Sequence, residues 1–386
     1  MRVETVELRG FRNLADTDLR LDSSLTVVHG LNGAGKTNLL EALYFGLAGR
    51  SCRTRAERET IRFGEKLARV EVAIAEGAER RIFLAAVGRE EGRRHLLDGT
   101  ATGPDSAGKR PALALFMPDR LALVKGPPAA RRAHLDRLVP ALWPARAGLR
   151  ARFGRALAQR NALVARVRAG AAGESTLDAW DLELAAEAHR LIVARREAVE
   201  ALAAPFRAVA ARLGLPGEAE LSYRPRSEAE DADALAAELR ERRVADIDRG
   251  YTTHGPQYDE LRFALAGRTL RRYGSQGQQR ASLLALLFAE RQVLIDLGRP
   301  APLMLLDDVM SELDPERREL LTETVLDAGQ ALVTATDAGQ LPAGPRRELR
   351  MRAGRIEILA EGGAQEATSK SPDPPLRVRS GSISSA

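Results

Sequence analysis

Apolar positions near the start of the chain predict short β-strands followed by a helix. Three stretches there are continuously apolar or alternate apolar with polar residues, and turn-forming residues bound each of them. These strands are predicted at residues 2–8, 16–21 and 25–28. From Gly35 onward the apolar positions recur at helical spacing, and residues 69–75 and 81–86 predict a hairpin. The first part of the chain is therefore predicted to be α/β.

The pattern changes near residue 118, where strands give way to helical sequence rich in Ala, Leu and Arg. Apolar residues between Leu177 and Leu202 fall on one helical face, which favours a packed bundle over a long coiled coil. Beyond Gly250 the α/β pattern returns, and a long helix is predicted from Ser275. The last predicted strands span residues 302–306, 331–335 and 355–359.

These patterns predict a head that is interrupted by a compact helical insertion and followed by a tail. The length of 386 residues is about twice the commonest domain size, so it can hold both units. The tail is rich in Ser, Pro and Gly and has little apolar surface, which predicts disorder. The predicted ranges are 1–117 and 245–362 for the head, 118–244 for the insertion and 363–386 for the tail.

Composition narrows the class of protein. No uncharged apolar run approaches the roughly 20 residues that a membrane-spanning helix needs. The first residues lack the apolar core of a secretion signal. The single cysteine, Cys52, cannot form an internal disulfide, which favours a reducing compartment. We therefore expect a cytoplasmic protein that does not enter a membrane.

Residues 30–37 match the phosphate-binding pattern G-x-x-x-x-G-K-[ST] between a predicted strand and a predicted helix. The residues are Gly30, Leu31, Asn32, Gly33, Ala34, Gly35, Lys36 and Thr37. The glycines let backbone N–H groups surround phosphates, Lys36 reaches the β and γ phosphates, and Thr37 can ligate Mg²⁺. A glycine-rich turn that caps a helix is the alternative, but both flanks favour binding of ATP or GTP.

Two acids follow the apolar run at residues 302–306. A buried strand delivers such a carboxylate to the carboxyl edge of a parallel sheet, beside the phosphate loop. Asp307 is there predicted to hold Mg²⁺, and Asp308 to orient or deprotonate the attacking water. Taken alone, such a pair is more often a helix cap or a solvated turn. The phosphate loop favours the catalytic interpretation, with Lys36 as the third catalytic residue.

Two further motifs complete a recognisable order along the chain. Ser275-Gln276-Gly277-Gln278 opens an apolar helix, and Ser311-Glu312-Leu313-Asp314 follows the paired acids. Each can be a simple helix cap. In this order, however, the motifs resemble the head of ATP-binding-cassette proteins. In that superfamily the serine and glycine of one subunit cover the γ-phosphate that the other subunit holds, so one chain with one set of motifs would form a homodimer.

The spacing and several longer motifs resemble one family within that superfamily. The 238 positions between Thr37 and Ser275 are too many for a transporter cassette and too few for long coiled-coil arms. Residues 1–360 resemble the RecF family of bacterial DNA replication and repair proteins. The motifs that carry the resemblance lie at residues 8–14, 38–42, 49–54, 116–121, 124–127, 131–136, 274–280 and 305–314.

The resemblance implies an ATP-dependent dimer that binds duplex DNA or the junction beside a single-stranded gap. It implies that RecO and RecR are partners in loading RecA, in recombinational repair, replication and the SOS response. On this resemblance residues 30–37 bind ATP, Asp307 serves the metal and Asp308 serves hydrolysis. The residues that would contact nucleotide across the dimer are Ser275, Gly277 and Gln278, and Asp314 is a further candidate for nucleotide binding. Arg12 and Asn13 resemble a motif that lies near the nucleotide in related heads.

The chain also departs from its expected patterns. Gln257 and Tyr258 stand where the family usually has His and Arg, and Cys52 stands where it usually has Phe. Transporter cassettes carry a His after the strand at 331–335, whereas this chain has Thr334-Ala335-Thr336-Asp337. We therefore expect a weak, DNA-stimulated ATPase that acts as a switch. A turnover of tens per second without DNA would contradict this expectation.

Positive charge is concentrated in one segment. The net charge is +6, yet residues 120–168 contain twelve basic residues and one acid. Such a segment can neutralise DNA phosphates, or its arginines can pair with acids on a solvated face. The candidate DNA contacts are Arg50, Arg53, Arg55, Arg131, Arg132, Arg150, Arg152 and Arg155. Because aromatics are only 4% of the chain, backbone contact is favoured over base stacking.

Three other functions are weighed against this interpretation. A transporter ATPase subunit is disfavoured by the large insertion and the missing His. A nucleotide-gated protein scaffold would use the basic segment to meet an acidic protein. A nuclease is disfavoured because the sequence has no His and acid cluster with two-metal spacing outside the nucleotide site.

Overall fold

The computed structural model describes residues 1–21, 23–103, 110–117, 121–310, 315–326, 329–337, 339 and 346–361. The strands of the first half are β1 (Arg2–Arg9), β2 (Thr17–Arg20), β3 (Leu25–His29), β4 (Leu67–Glu76), β5 (Glu79–Gly88), β6 (Gly92–Leu97), β7 (Thr100–Ala101) and β8 (Leu113–Phe116). The later strands are β9 (Ala219–Arg224), β10 (Glu260–Leu265), β11 (Arg268–Thr269), β12 (Leu303–Leu306), β13 (Ala331–Ala335), β14 (Arg347–Arg352) and β15 (Arg355–Glu361).

Ten α-helices connect or cover these strands within the described ranges. They are α1 (Lys36–Ala48), α2 (Ala122–Lys125), α3 (Pro128–Leu142), α4 (Leu149–Arg168), α5 (Asp178–Arg212), α6 (Ala232–Glu241), α7 (Arg243–Arg249), α8 (Leu270–Tyr273), α9 (Gln276–Asp296) and α10 (Pro315–Leu326). In the part of the chain that the structure describes, none of them combines the length and apolar character that a bilayer crossing requires.

The strands form three sheets. An antiparallel sheet has the order β2-β1-β4-β5-β6-β7, and a mixed sheet has the order β15-β14-β3-β13-β12-β8. The pairs from β14 to β8 in the mixed sheet are parallel, and only the β14–β15 hairpin is antiparallel. A third, antiparallel sheet has the order β11-β10-β9. The mixed sheet thus has the α/β topology that the sequence predicts.

The mixed sheet separates two apolar cores because successive residues of a strand point to opposite faces. Leu303 and Leu305 face a core shared with α1 and the antiparallel sheet. Met304 and Leu306 face a second core, which contains the apolar residues of α3, α5 and α9. Ten of the thirteen residues of α1 are buried, since this helix lies between the two six-stranded sheets. The helix that begins at the phosphate loop is therefore fixed on both sides.

The described part of the region between residues 118 and 244 is mainly helical but also contains a strand. It contains β9, which pairs along its full length with β10 in the range predicted for the head. The apolar residues of α5 also belong to the core that covers the mixed sheet. The division of the chain into a head and an insertion remains a prediction. Residues 363–386 of the predicted tail lie outside the described residues.

Candidate nucleotide site and basic surfaces

The predicted phosphate loop connects β3 to α1. Gly30, Gly33 and Gly35 all have positive φ angles, of 155°, 78° and 115°. At Gly30 a side chain would also be excluded by space, because a Cβ atom would lie 2.3 Å from the carbonyl oxygen of Met351. The loop ends at the first turn of α1, where free backbone N–H groups and the helix dipole favour an anion.

The hairpin turn between β14 and β15 holds this loop from outside. The N–H of Gly354 donates to the carbonyl of Ala34 at 2.8 Å, and the N–H of Ala15 donates to the carbonyl of Gly354 at 2.8 Å. Gly354 has a φ of 79°, and a Cβ atom there would lie 1.9 Å from the carbonyl oxygen of Asn13. Sequence reasoning missed this support, although Ala353-Gly354 between two charged and apolar stretches is a turn signal.

Lys36 extends its ammonium group back across the loop. Its Nζ donates to the carbonyl oxygens of Gly30 at 2.6 Å and Leu31 at 3.1 Å. Burial lowers the pKa of Lys36, and the carboxylates of Asp308 and Asp307 oppose this shift. A polyphosphate in the loop would give the ammonium anionic partners, so a partly desolvated Lys36 is suited to that ligand.

Asp307 lies beside the loop because β12 is separated from β3 by only one strand. The hydroxyl of Thr37 lies 3.0 and 2.9 Å from its two carboxylate oxygens, and the hydroxyl of Thr334 donates to Oδ1 at 2.7 Å. Burial raises the pKa of Asp307, and the bonds from Thr334 and Thr37 lower it. A divalent cation would compensate this buried charge. Hydroxyl and carboxylate oxygens are ligands that suit Mg²⁺, so Thr37 and Asp307 would hold it with the nucleotide phosphates.

Asp308 has an unusual backbone conformation, with a φ of 47°. Its N–H donates to the hydroxyl of Thr334 at 2.9 Å, and this hydroxyl in turn donates to Asp307. Left-handed backbone at a non-glycine residue costs energy and occurs often at functional sites. Thr334 therefore fixes both acids, a role that sequence reasoning did not assign to it. The role of Asp308 in activating water remains a prediction.

Arg12 and Asn13 lie behind the loop and play different parts. Arg12 donates through Nε and an NH2 group to both carboxylate oxygens of Glu41, at 3.0 and 2.9 Å, and Glu41 is fully buried. Asn13 instead contacts the loop, since its Nδ2 donates to the carbonyl of Gly33 at 3.4 Å. Its Oδ1 accepts from Nδ2 of Asn38 at 2.8 Å. Of the two predicted residues, the structure thus brings Asn13 to the loop and commits Arg12 to Glu41.

Ser275 is the N-cap of α9. Its Oγ accepts from the N–H of Gln278 at 3.2 Å, and Oε1 of Gln278 accepts from the N–H of Ser275 at 2.9 Å, which forms a capping box. Ser275 and Gly277 are exposed, so this helix N-terminus faces outward from the single chain. No hydrogen bond joins these residues to the phosphate loop within the described chain. Asp314 and the rest of the 311–314 motif lie outside the described residues.

The structure corrects one of the candidate DNA contacts, Arg131. Arg131 is 2% exposed, and its NH2 group donates to Glu260 at 2.9 Å. Arg132 is half-buried and donates to the carbonyl of Asp259 at 2.9 Å. Arg131 is therefore a structural residue that pairs with an acid, which was the alternative for this segment, and the role of Arg132 remains a prediction.

Acids also neutralise several other candidates. Arg150 pairs with Asp136 at 3.2 Å and Arg152 with Glu187 at 3.1 Å, although both guanidinium groups stay partly exposed. Arg53 pairs with the buried Glu41 at 3.3 Å. The candidates that are exposed and form no ion pair within the described residues are Arg50, Arg55 and Arg155.

The site and fold together define a class of protein. A phosphate loop on a mixed sheet, a strand-borne acid bonded to the loop threonine, and a separate outward-facing capped helix are the parts of an ATP-binding-cassette type ATPase head. A sequence profile of the RecF/RecN/SMC N-terminal domain matches residues 2–353. The structure of the recombination mediator protein RecF-ATP in the RecFOR pathway aligns with a TM-score of 0.83 at 24% identity, over 93% of this chain and 98% of that one.

Sequence relatives narrow the class further. A DNA replication and repair protein RecF from Anaeromyxobacter dehalogenans (strain 2CP-C) is 40% identical over 358 residues, which cover 87% of this chain and 93% of the relative. Another from Myxococcus xanthus (strain DK1622) is 36% identical over 378 residues, covering 94% of this chain and 98% of the relative. This chain belongs to the RecF family. An Smc head bound to the C-winged helix domain of ScpA shares the fold more distantly, with a TM-score of 0.57 at 17% identity over 93% of this chain and 97% of that one.

Proposed function

We propose that this chain is an ATP-dependent DNA-binding protein of recombinational gap repair and replication. The observation that carries the proposal is the contact of Thr37 with Asp307, which joins the phosphate loop to the strand-borne acid in the geometry that a Mg²⁺–ATP site requires. The names of the relatives support the biological setting, because they are DNA replication and repair proteins. The single cysteine supports action in a reducing compartment, the cytoplasm.

ATP is proposed to close two copies of the chain into a dimer. Gly30–Thr37 would bind the triphosphate in one copy, and the N-terminus of α9 from the other copy would cover the γ-phosphate. The exposure of Ser275 and Gly277 supports this arrangement, since a capped helix N-terminus that faces solvent is free to meet an anion on another molecule. Gln278 and Asp314 would complete the contact across the dimer.

Hydrolysis is proposed to be slow, to depend on DNA and to reset the dimer. Lys36 would stabilise the phosphates, Asp307 and Thr37 would hold Mg²⁺, and Asp308 would orient water. When bound, Mg²⁺ supplies charge stabilisation at the transferring phosphate. The closed dimer would bind duplex DNA or the junction beside a gap. With RecO and RecR it would help to load RecA and so support repair and SOS induction.

The oligomeric state tests the central step. We expect light scattering to show a monomer with ADP and a dimer with ATP for the natural chain. Lys36→Met removes the ammonium from the loop and Ser275→Arg blocks the opposing helix, so both variants should stay monomeric with ATP. Ser275→Thr keeps the capping oxygen and should still dimerise. A natural chain that stays monomeric at saturating ATP contradicts the proposal.

DNA binding tests the second step. A labelled duplex with a single-stranded gap should be bound more tightly with ATP than with ADP. Lys36→Met should remove this difference while keeping the nucleotide-independent affinity. Equal affinity with ATP, with ADP and without nucleotide would show that the site does not control DNA binding.

A further inference from the structure

A cavity of about 1350 Å³ lies at the end of α1 opposite the phosphate loop. One wall is formed by β5, β6 and the segment after α1, and the other by α3 and the end of α9. None of residues 30–37 lines it. Because α1 has 13 residues and rises about 1.5 Å per residue, the end of α1 that borders the cavity is roughly 20 Å from the phosphate loop. It is therefore a site separate from the nucleotide.

The lining of this cavity carries positive charge that the described protein leaves without acidic partners. Eight arginines and four acids line it. Three of the acids already have partners: Glu57 pairs with Arg93 and Glu290 with His134 inside the lining, and Asp136 pairs with Arg195 outside it. Five of the arginines form no ion pair within the described ranges, namely Arg50, Arg55, Arg94, Arg110 and Arg299. Arginines face the cavity from both walls.

Two nitrogen-bearing side chains of the lining, Arg110 and His95, lie deep enough to be poorly hydrated. Arg110 is half-buried, and within the described ranges its one hydrogen bond is to the carbonyl of Leu47, at 2.9 Å, in the last turn of α1. His95 is 8% exposed, and its buried Nδ1 has no hydrogen-bond partner among the residues that the structure describes. Burial and the neighbouring arginines lower the pKa of both groups. Buried polar atoms without partners are rare, so the imidazole Nδ1 of His95 and the guanidinium Nε of Arg110, neither of which has a partner among the described residues, indicate a ligand.

We propose that this cavity binds the phosphates of a DNA backbone, as a second anion site besides the ATP loop. This inference rests on the proposed DNA-binding function and identifies the cavity as a surface that contacts DNA. A planar guanidinium binds a phosphate through two parallel hydrogen bonds, and a polynucleotide offers such groups in series. The aromatic residues of the lining, Tyr44 and Phe83, are buried, so the cavity offers no platform for stacked bases. The contact is therefore with the backbone.

The salt dependence of DNA binding tests the proposal. The double variant Arg94→Ala/Arg299→Ala removes two exposed charges that form no ion pair with any residue that the structure describes. Each lost phosphate contact reduces the magnitude of the slope of log affinity against log salt concentration by about 0.9. The slope of the double variant should therefore be smaller in magnitude by about 1.8 than that of the natural chain. Arg212→Ala/Arg240→Ala removes two exposed arginines outside the cavity and should leave the slope unchanged. Arg94→Lys/Arg299→Lys should restore most of the slope, because the charge returns.

Cys52 gives a second readout without altering the arginines. It is the single cysteine, is partly exposed and lines the cavity. With ATP present, saturating DNA should slow its reaction with a maleimide relative to ATP alone. An unchanged rate together with an unchanged salt slope overturns the cavity site but leaves the proposed function standing. The cavity would then serve another anion, such as an acidic protein segment. A natural chain that binds no DNA overturns both.

Discussion

Thr334 links the two acids of the site, and its replacement by Val tests how Asp307 stays ionised beside the loop. The residue is fully buried, and Val has nearly its shape but no hydroxyl. The variant removes the 2.7 Å bond to Asp307 and the acceptor for the N–H of Asp308. The Thr37 contact with Asp307 remains. The change therefore destabilises the ionised form of Asp307, while the Thr37 contact keeps the carboxylate beside the loop.

The size of the effect follows from the charge on the acceptor. A hydrogen bond to a charged group contributes about 1.5–3 kcal/mol, which corresponds to about 10- to 150-fold in the balance between carboxylate and carboxylic acid. Burial raises the pKa of Asp307, and the hydrogen bond from Thr334 opposes that rise. Because the Val variant loses this bond, the pKa of Asp307 should rise further. The acid must lose its proton to ligate Mg²⁺. Affinity for Mg²⁺ in the presence of ATP should therefore fall as the pH falls, and Thr334→Val should show this loss at higher pH than the natural chain.

Mg²⁺ titrations of nucleotide binding over a range of pH measure this directly. Thr334→Ser keeps the hydroxyl and should follow the natural chain. The unpaired N–H of Asp308 should also cost the Val variant about 1–3 kcal/mol of free energy of unfolding, measured with urea. Superimposable pH profiles for the Val variant and the natural chain would refute the role given to Thr334.

Two further predictions concern the framework of the site. Gly354→Ala should lower the free energy of unfolding by more than about 1 kcal/mol and weaken ATP binding, whereas Gly77→Ala, also at positive φ but in open space, should show only the backbone strain. Equal losses in urea titrations would exclude the close contact as the cause. Arg160→Leu should cost about 3–5 kcal/mol, because it leaves the buried Asp246 without its cation and Asp181 with Arg243 alone, and the exposed Arg196→Leu should change stability by less than about 0.5 kcal/mol in the same titration.

The sequence predicted those parts of the site whose residues are contiguous. The phosphate loop is one continuous motif, and the apolar run at 302–306 favours the buried strand, β12, that brings Asp307 beside the loop. The contacts of Gly354 and Thr334 join residues that are up to about 340 positions apart, and no local pattern reports such a contact. Their signals, a turn glycine and a buried threonine, fit many positions equally well.

The fold was predicted best where apolar patterns were strong. The helix from Ser275 and the strand at 331–335 are confirmed as α9 and β13. Sequence analysis missed β14 because most of its residues are charged. Buried and less buried positions nevertheless alternate along this strand, and Leu349 and Met351 are among the buried ones. It also missed β9, because a six-residue stretch within helical sequence gives little indication that it pairs with another strand. That partner, β10, lies about 40 residues further along the chain.

The arginines of residues 120–168 show why the net charge of a sequence segment does not predict the surface charge of the folded protein. Arg160 is fully buried, and carboxylates of Asp181 and Asp246, from α5 and α7, each lie 2.7 Å from its guanidinium. Arg131 is likewise compensated from β10. Burying a guanidinium costs several kcal/mol unless acids from other elements surround it, so folding brings distant acids to the buried part of this segment. A surface for DNA phosphates must therefore be sought where folding left arginines without acids, and among the described residues the cavity beyond α1 gathers five of them.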